Sequence, residues 1–419
     1  HAVSEYPLFI INGVKVVMSE SVYIVAAKRT PIGSFCGALK SVSAAELGGL
    51  AIKGALEQAG LAPENVNEVI VGNVVSAGQG MGVGRQAAMA AGIPAGIPAY
   101  SVNMICGSGM KTLMDACAHI KAGDADIVVA AGCENMSQIP FAVKGDVRNG
   151  HKMGDMALTD LLINDGLTDV FNKYHMGVTA ENVIAQENIS REAQDELAAA
   201  SQQKAVAAIA AGHFKEEIVP VEVKSRRETI TVDTDEYPKE GSSAEKLSKL
   251  RAVFKSDGSV TAGNASGIND GGSAIIVASK AAVEKYGLTP LAEVVSYGQG
   301  GVDPEVMGLG PVPAIEQALT RANLTLSQIE RLELNEAFAG QALGVVKQLS
   351  KQHDITEQAI LEKTNMNGGA IALGHPLGAS GNRILVTLLY ELQRSNTELG
   401  IASLCIGGGM GTAVILKRV

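Results

Sequence analysis

Tryptophan is absent and aromatic residues make up only 4% of the chain. Small residues and close backbone approach, more than aromatic bulk, must therefore fill the interior. Positive charge is in deficit: 34 Lys and Arg stand against 44 Asp and Glu, a formal net charge of −10. That is the wrong sign for a protein that coats nucleic acid, and it leaves room only for a phosphate-bearing small ligand held by locally placed cations. The five cysteines, Cys36, Cys106, Cys117, Cys133 and Cys405, form an odd set without a C-x-x-C pair. Neither a disulfide framework nor a zinc knuckle is suggested, and a reducing compartment, the cytoplasm, is expected. No apolar run reaches the roughly 18 residues that would span a bilayer, and no lipidation signal is present. With 46% hydrophobic and 19% charged residues and no low-complexity tract, wholesale disorder is excluded as well.

What is abundant is glycine, 48 in 419 residues, against a usual share of ~7%. Many tight turns and backbone contacts follow. The length allows two or three domains with a large core. Residues 1–17 read as a leader, appended or removed in processing, because a cleaner pattern begins at Met18; the stretch lacks the basic region and cleavage site of a signal peptide.

The chain repeats itself. Ala51 to Leu61 and Ala314 to Leu324 are identical at six of eleven positions. Both carry helical periodicity, and both end on a residue that tolerates a left-handed conformation, Gly60 and Asn323. Ser43 and Glu46 predict a capping box for the first helix, while Pro311 and Pro313 open the second. At the same offset Val69-Ile70-Val71 matches Leu332-Glu333-Leu334. Gly271 to Val277 resembles Met410 to Leu416, and Val22 to Val25 resembles Ala292 to Val295. Each half thus reads as strand, helix, strand, helix, strand and a last strand, an α/β pattern with helices packed on mixed or parallel sheets. Residues 140–265 have no counterpart and are expected to form an inserted lobe. The first half then comprises 18–139 and 266–288, the second 289–419. Within the lobe, Ser190 and Gly212 bracket a long amphipathic helix.

Four stretches could carry chemistry. Cys106, in Asn103-Met104-Ile105-Cys106-Gly107-Ser108-Gly109, follows a short strand and opens a helix. The positive end of a helix dipole there favours thiolate, and small neighbours let a carbonyl approach. The plain alternative is a buried structural thiol. His375 lies in Gly374-His375-Pro376-Leu377-Gly378-Ala379-Ser380-Gly381, where Ser380-Gly381 aligns with Ser108-Gly109 and a loop bearing the histidine has been added. Packing alone explains such an insertion poorly, although a satisfied loop histidine is the ordinary reading. Cys405 ends a strand before Gly407-Gly408-Gly409, whose N–H groups could hold an oxyanion. Asn335 follows the strand in Leu334-Asn335-Glu336-Ala337-Phe338 and, taken alone, is a turn residue.

Together these four motifs resemble the thiolase family, in its order and over Met18 to Val419, specifically its short-chain biosynthetic type. The resemblance implies the thiolase fold: five layers, α-β-α-β-α, of two similar halves with a loop domain inserted in the first. It implies an acyltransferase, an acetyl-CoA C-acetyltransferase that reversibly joins two acetyl-CoA into acetoacetyl-CoA and CoA by Claisen condensation through acetyl-Cys106. His375 would take the thiol proton, Cys405 the proton of the second acetyl group, and His375 with a water on Asn335 would hold the enolate. The N–H groups of Cys106 and Gly407 would hold the tetrahedral oxygen. His175 and Met176 would reach the thioester end of CoA and narrow the acyl pocket. Phe254, Ser266, Met307, Ala337 and Phe338 would line the pantetheine tunnel, with Lys239 beside the nucleotide. Residues 222–255 hold eight Lys or Arg and seven Asp or Glu, which is neutrality and no basic patch. Neither a metal nor a cofactor is implied, since the CoA thioester is substrate. A homotetramer is, with Val143 to Asp160 as a contact. The alternative within the class is a degradative 3-ketoacyl-CoA thiolase for longer chains. Outside it stand a non-catalytic CoA carrier, which has no use for two cysteines and a histidine in working positions, and ketoacyl synthases, which lack the second cysteine.

Overall fold

The computed structural model describes residues 8–11, 14–17 and 20–419. Within the expected leader the described backbone is a hairpin, Leu8–Ile11 paired antiparallel with Val14–Val17; the rest of that segment, and Met18, lies outside the described residues.

Among the described residues ten strands build the central sheet; nine of them, β1 (Val22–Arg29), β2 (Glu68–Gly72), β3 (Ala99–Val102), β4 (Ile127–Asn135), β5 (Asn269–Ser279), β6 (Ala292–Gly301), β7 (Arg331–Leu334), β8 (Leu399–Ile406) and β9 (Met410–Arg418), lie in the order β7-β8-β9-β6-β1-β5-β4-β2-β3, and the two-residue strand Gly33–Ser34 pairs with the start of β5. In the first half β1, β5 and β4 are antiparallel and β4, β2 and β3 parallel. The second half repeats this with β6, β9 and β8 antiparallel and β8, β7 parallel. Thr364, bridged parallel to Leu332, stands where β3 stands in the first half. Within the sheet the halves meet where β1 pairs with β6, at Ala292↔Ile24 and Glu293↔Tyr23.

The helices that matter are α1 (Ala44–Ala59), α2 (Val83–Ala90), α3 (Ser108–Ala122), α4 (Met176–Glu187), α5 (Arg191–Ala211), α6 (Pro311–Ala322), α7 (Ala339–His353) and α8 (Leu377–Ser395). Their ends form as the sequence dictates. Ser43 and Glu46 close a capping box on α1, Gly60 and Asn323 adopt φ of 61° and 52° at the ends of α1 and α6, and Ser190 caps α5. Against the simpler pattern expected, each half carries a further helix, α2 in the first and α7 in the second, and the short strand expected before Cys106 is β3. Helix α2 is only eight residues long and starts on Gly82 without a side-chain cap, so it lacks the signals that announce a helix.

Layering follows from strand periodicity. Val128 and Val414 face a middle core, while their neighbours Val129 and Ile415 face two different outer cores, as alternate side chains of a strand must. The middle core is shared by α3 and α8, which pack Met110, Leu113, Ile384 and Leu388 between the two half-sheets. Helices α1 and α2 cover one outer face; α6 and α7 cover the other. The result is five layers, α-β-α-β-α. Glycine makes the middle crossing possible: a Cβ on Gly109 would lie 2.7 Å from the Asn382 nitrogen, and one on Gly381 2.5 Å from the Met110 nitrogen. Since Ser108-Gly109 and Ser380-Gly381 are repeat equivalents, α3 and α8 cross about the axis that relates the halves, with their N-termini side by side.

Candidate active site

The nucleophile candidate sits at that crossing. Ile105, with φ of 49° in the left-handed region, throws the chain into a sharp elbow just before Cys106. Such a conformation is costly for a branched residue and must be held by its surroundings. Asn103 Oδ1 accepts from the Ile105 N–H at 2.9 Å, Asn103 Nδ2 donates to the Val74 carbonyl, and Ser108 Oγ accepts from the Met104 N–H at 2.8 Å. Two backbone N–H groups, those of Cys106 and Gly407, point at the Cys106 sulfur.

Dipole and N–H groups together do not make Cys106 a resting thiolate, contrary to the sequence-based expectation. Burial pushes the thiol up to about 11, outweighing the two N–H donors, and the charge of Glu134 adds to the rise. Cys106 is only 8% exposed, and an ion that loses its water loses more than two hydrogen bonds return. Cys405, at the end of β8, is raised further still by burial and by the neighbouring Cys106. His375 moves the other way, down to about 4, chiefly through burial and then through Arg383. All three groups are therefore neutral at pH 7.

The loop of His375 is tied to both halves. Its N–H donates to Asn269 Oδ1 at 3.0 Å, and its Nδ1 is hydrogen-bonded to Ser380 Oγ in the first turn of α8. The Gly378 N–H donates to Glu134 at 3.0 Å, a buried carboxylate at the end of β4 that also accepts from Val74, Val75 and Asn73. Among the described residues His375 Nε2 has no hydrogen-bond partner, nor do the Oδ1 and Nδ2 atoms of Asn335. Asn335 is fixed through its backbone, its N–H donating to the Ser403 carbonyl.

Cys106, His375 and Cys405 line one cavity of about 460 Å³. His175, Met176, Phe254, Ser266, Met307, Ala337 and Phe338 line it too. Asn335 and Gly407 lie outside this lining; Gly407 reaches in through its N–H, and Asn335 is 2% exposed between buried neighbours. His175 caps α4 by accepting the Gly177 N–H on Nδ1 and stacks on Phe254 at 4.4 Å. Phe254 meets Phe338 edge-on at 6.3 Å. The turn around Ser266 docks on the Asn335 motif through the Ser266 N–H donating to Ala337 and the Ala339 N–H donating to Asn264. Lys239 is exposed, not part of the lining, with its ammonium 5.2 Å from the ring of Tyr237. The charged lysine therefore stands at one remove, since Tyr237 itself lines the cavity.

Several lining residues carried no sequence signal: Phe35, Met136, Leu167 and Leu377 are ordinary apolar residues in sequence, gathered only by the fold. Ser380 and Glu134 escaped for another reason. Each acts through a bond to a residue far away in the chain or hidden in a helix start, and neither spacing advertises it. Among the described residues no group of His, Cys, Asp or Glu is arranged to hold a metal ion, and no helix is long and apolar enough to cross a membrane.

The profile "Thiolase, N-terminal domain" matches residues 22–281, and "Thiolase, C-terminal domain" matches 288–418. The acetyl-CoA acetyltransferase of Cupriavidus necator is 52% identical over 398 residues, 95% of this chain and 99% of that protein. The cytosolic acetyl-CoA acetyltransferase of Rattus norvegicus is 50% identical over 402 residues, 96% of this chain and 99% of its own. A crystal structure of human mitochondrial 3-ketoacyl-CoA thiolase in complex with CoA superposes with a TM-score of 0.90 at 44% identity, covering 96% of this chain and 98% of that one.

Proposed function

We infer the reaction from one premise: the chain belongs to the thiolase family. We propose that it is an acetyl-CoA C-acetyltransferase, which interconverts two acetyl-CoA with acetoacetyl-CoA and CoA by Claisen condensation. One observation carries the proposal: two cysteines and a histidine line a single cavity, the histidine's Nε2 has no partner among the described residues, and two N–H groups are aimed at the first sulfur. The naming of the bacterial and rat relatives supports the acetyl substrate, and the CoA complex of the human thiolase supports a CoA thioester.

The resting protonation states shape the mechanism. Because burial pushes Cys106 up to about 11 and His375 down to about 4, neutral thiol and imidazole are favoured over a resting thiolate–imidazolium pair. Proton transfer to His375 Nε2 accompanies the formation of the bond from Cys106 sulfur to the acetyl carbon. The Cys106 and Gly407 N–H groups, freed from sulfur, receive the tetrahedral oxygen. CoA leaves as a thiolate and takes the Cys405 proton. The Cys405 thiolate is a strong base for the reason that it was a weak acid, namely burial, and it removes a proton from the methyl group of the second acetyl-CoA. The enolate oxygen is held by the His375 Nε2–H and by a water on the side-chain amide of Asn335. Its carbon attacks acetyl-Cys106; acetoacetyl-CoA leaves, and Cys106 recovers its proton from His375. In thiolysis Cys405 acts as the acid, in the form it holds at rest. The scheme calls on no cofactor.

His175 and Met176 narrow the acyl end in this reading, and Phe254, Ser266, Met307, Ala337 and Phe338 receive pantetheine, with Lys239 near the nucleotide. Homotetramer formation belongs to the same proposal, supported by the exposed Phe141, Val143, Met153, Met156 and Leu158 in one segment. So does a cytoplasmic location, supported by the name of the rat relative. The test is acetylation with labelled acetyl-CoA followed by peptide mapping. Label on Cys106 and a dead Cys106→Ala variant are expected; turnover by that variant would end the proposal. Thiolysis of acetoacetyl-CoA should exceed that of a C8 or C10 ketoacyl-CoA. The reverse order would assign the chain to the longer-chain 3-ketoacyl-CoA thiolases.

A further inference from the structure

General-base action by His375 requires more than a histidine in the right place. The lone pair must sit on Nε2, the nitrogen left free at the cavity, so the proton must sit on Nδ1. A neutral histidine in water prefers the opposite arrangement. Among the described residues no carboxylate is hydrogen-bonded to this ring to impose the choice; its Nδ1 partner is the hydroxyl of Ser380.

A serine hydroxyl can donate to a ring nitrogen or accept from it, and each choice selects a different tautomer. Here the hydroxyl has one hydrogen and a second neighbour that only accepts: the Pro376 carbonyl, 3.0 Å away. Donation to that carbonyl leaves the lone pairs of Ser380 to receive Nδ1–H. The repeat supplies an independent instance of the same geometry. Ser108, the equivalent residue on α3, donates to the Ile105 carbonyl at 2.7 Å and accepts the Met104 N–H at 2.8 Å. Its roles are unambiguous, because an amide N–H can only donate and a carbonyl only accept. In both halves the serine at this place on the middle helix thus bonds back to a carbonyl of the preceding loop and offers its lone pairs to an N–H of the same loop. In the first half that loop presents Cys106, and in the second it presents His375. Ser108 and Ser380 are both fully buried, at 0% and 1% exposure, so water does not compete for either bond.

We propose that Ser380 is the positioning residue that fixes His375 in the Nδ1–H tautomer, with Ser380 accepting from the ring while donating to Pro376. The inference rests on the reading of His375 as the base for Cys106. It extends that reading by naming what makes the ring competent without an acidic partner. The charge balance is simple: Nδ1–H stays in place throughout, Nε2 gains the Cys106 proton as the sulfur–carbon bond forms, and the transient imidazolium donates from both nitrogens, to Ser380 and to the substrate oxygen.

Two measurements test it. In wild-type protein labelled with 15N-histidine, with the His375 signals identified by their loss in His375→Asn, Nδ1 should carry the proton and Nε2 should be pyridine-like at pH 7. A ring protonated on Nε2 would overturn the proposal, and this reading needs neither turnover nor a Ser380 variant. In Ser380→Ala the rate of Cys106 acetylation should fall roughly 100-fold, the scale of a general-base contribution, while KM for acetoacetyl-CoA changes little and the His375 signals move toward Nε2–H. A folded Ser380→Ala protein that acetylates Cys106 at the wild-type rate would refute it. If instead the wild type never acetylates Cys106 yet shows the Nδ1–H ring, the tautomer assignment stands and the proposed function fails, so the two outcomes are separable.

Discussion

Burial acts in opposite directions on the two groups that exchange a proton, raising Cys106 to about 11 and lowering His375 to about 4, and both shifts favour the neutral form. The histidine shift has a thermodynamic signature. Its folded value lies below the unfolded one of 6.5, so the unfolded chain binds this proton first as pH falls. The stability it confers is complete above pH 6.5 and is lost between 6.5 and about 4. Comparing wild type with His375→Asn by urea unfolding, we expect the wild type to lose on the order of 3 kcal/mol relative to the variant across that window; a constant difference would contradict a neutral buried ring. The thiol works at the other end of the scale. Direct alkylation of Cys106 by iodoacetamide in His375→Asn should climb with pH through 9 to 11, where a free cysteine has already levelled off, and a plateau below pH 8 would show the dipole winning over burial. Cys106, His375 and Cys405, which line one cavity, were legible in the sequence because each stands in a glycine-rich turn at an element end, whereas Asn335, in Leu334-Asn335-Glu336-Ala337-Phe338, stood out only beside the other three motifs. Their protonation was not, since the dipole is readable from a helix start whereas desolvation depends on what the rest of the chain brings over the site.

Among elements, the crossing of α3 and α8 does the most to set the site. The two helix starts carry Cys106 and His375 in their preceding loops, and the backbone contact at Gly109 and Gly381 sets how near those loops come. Gly381→Ala places a methyl group 2.5 Å from the Met110 backbone nitrogen, an atom that cannot swing aside as a side chain tip can. We expect it to cost about 3 kcal/mol by thermal or urea unfolding, at the upper end for overpacked cores, and to slow Cys106 acetylation in whatever fraction folds. Ala at a helix interior normally stabilises relative to Gly, so a neutral or positive result would show that the helices do not touch here. Repeat matching found α1, α6, β2, β7, β5 and β9 because buried faces and left-handed ends recur at a fixed spacing. It missed α2, whose place in the second half is taken by α7, and it did not match β3, the short strand before Cys106, to the single bridge at Thr364. It also gave no sign that the inserted lobe would return His175 and Met176 to the cavity, since a strand-to-helix start of the form Tyr174-His175-Met176 looks like any N-cap.

Across the whole molecule, three distant parts of the chain are tied by charge inside the core. Arg29 at the end of β1 is fully buried and holds Asp235 through two bonds of 2.8 and 2.9 Å and Glu217 through one of 2.8 Å. Both acids come from the inserted lobe. Glu217 is reached from the other half by the Thr387 hydroxyl of α8 at 2.9 Å, and the buried Arg383 on the same helix feels both carboxylates. Glu333 on β7, raised to about 8 by burial ahead of all its charged neighbours, is neutral at pH 7. Arg29 and Arg383 thus face Glu217 and Asp235. Such a cluster is not a large source of stability as a whole, because ions surrender their water to form it. Its members are nonetheless expensive to remove singly. Arg29→Met would leave Glu217 and Asp235 buried without their nearest cation, and we expect a loss of about 3–5 kcal/mol in urea unfolding. The loss should be nearly the same at 0.1 M and 1 M NaCl, for salt screens pairs in solvent and not those sealed from it. The cluster joins strand, lobe and catalytic helix, so the lobe should also loosen: hydrogen exchange at Val219, whose N–H donates to the Arg29 carbonyl, should rise together with exchange around Tyr237 at the cavity. If Arg29→Met unfolded as the wild type does, or if its penalty vanished in high salt, the lobe would be held by its apolar contacts alone, and the buried charges would be spectators of the assembly.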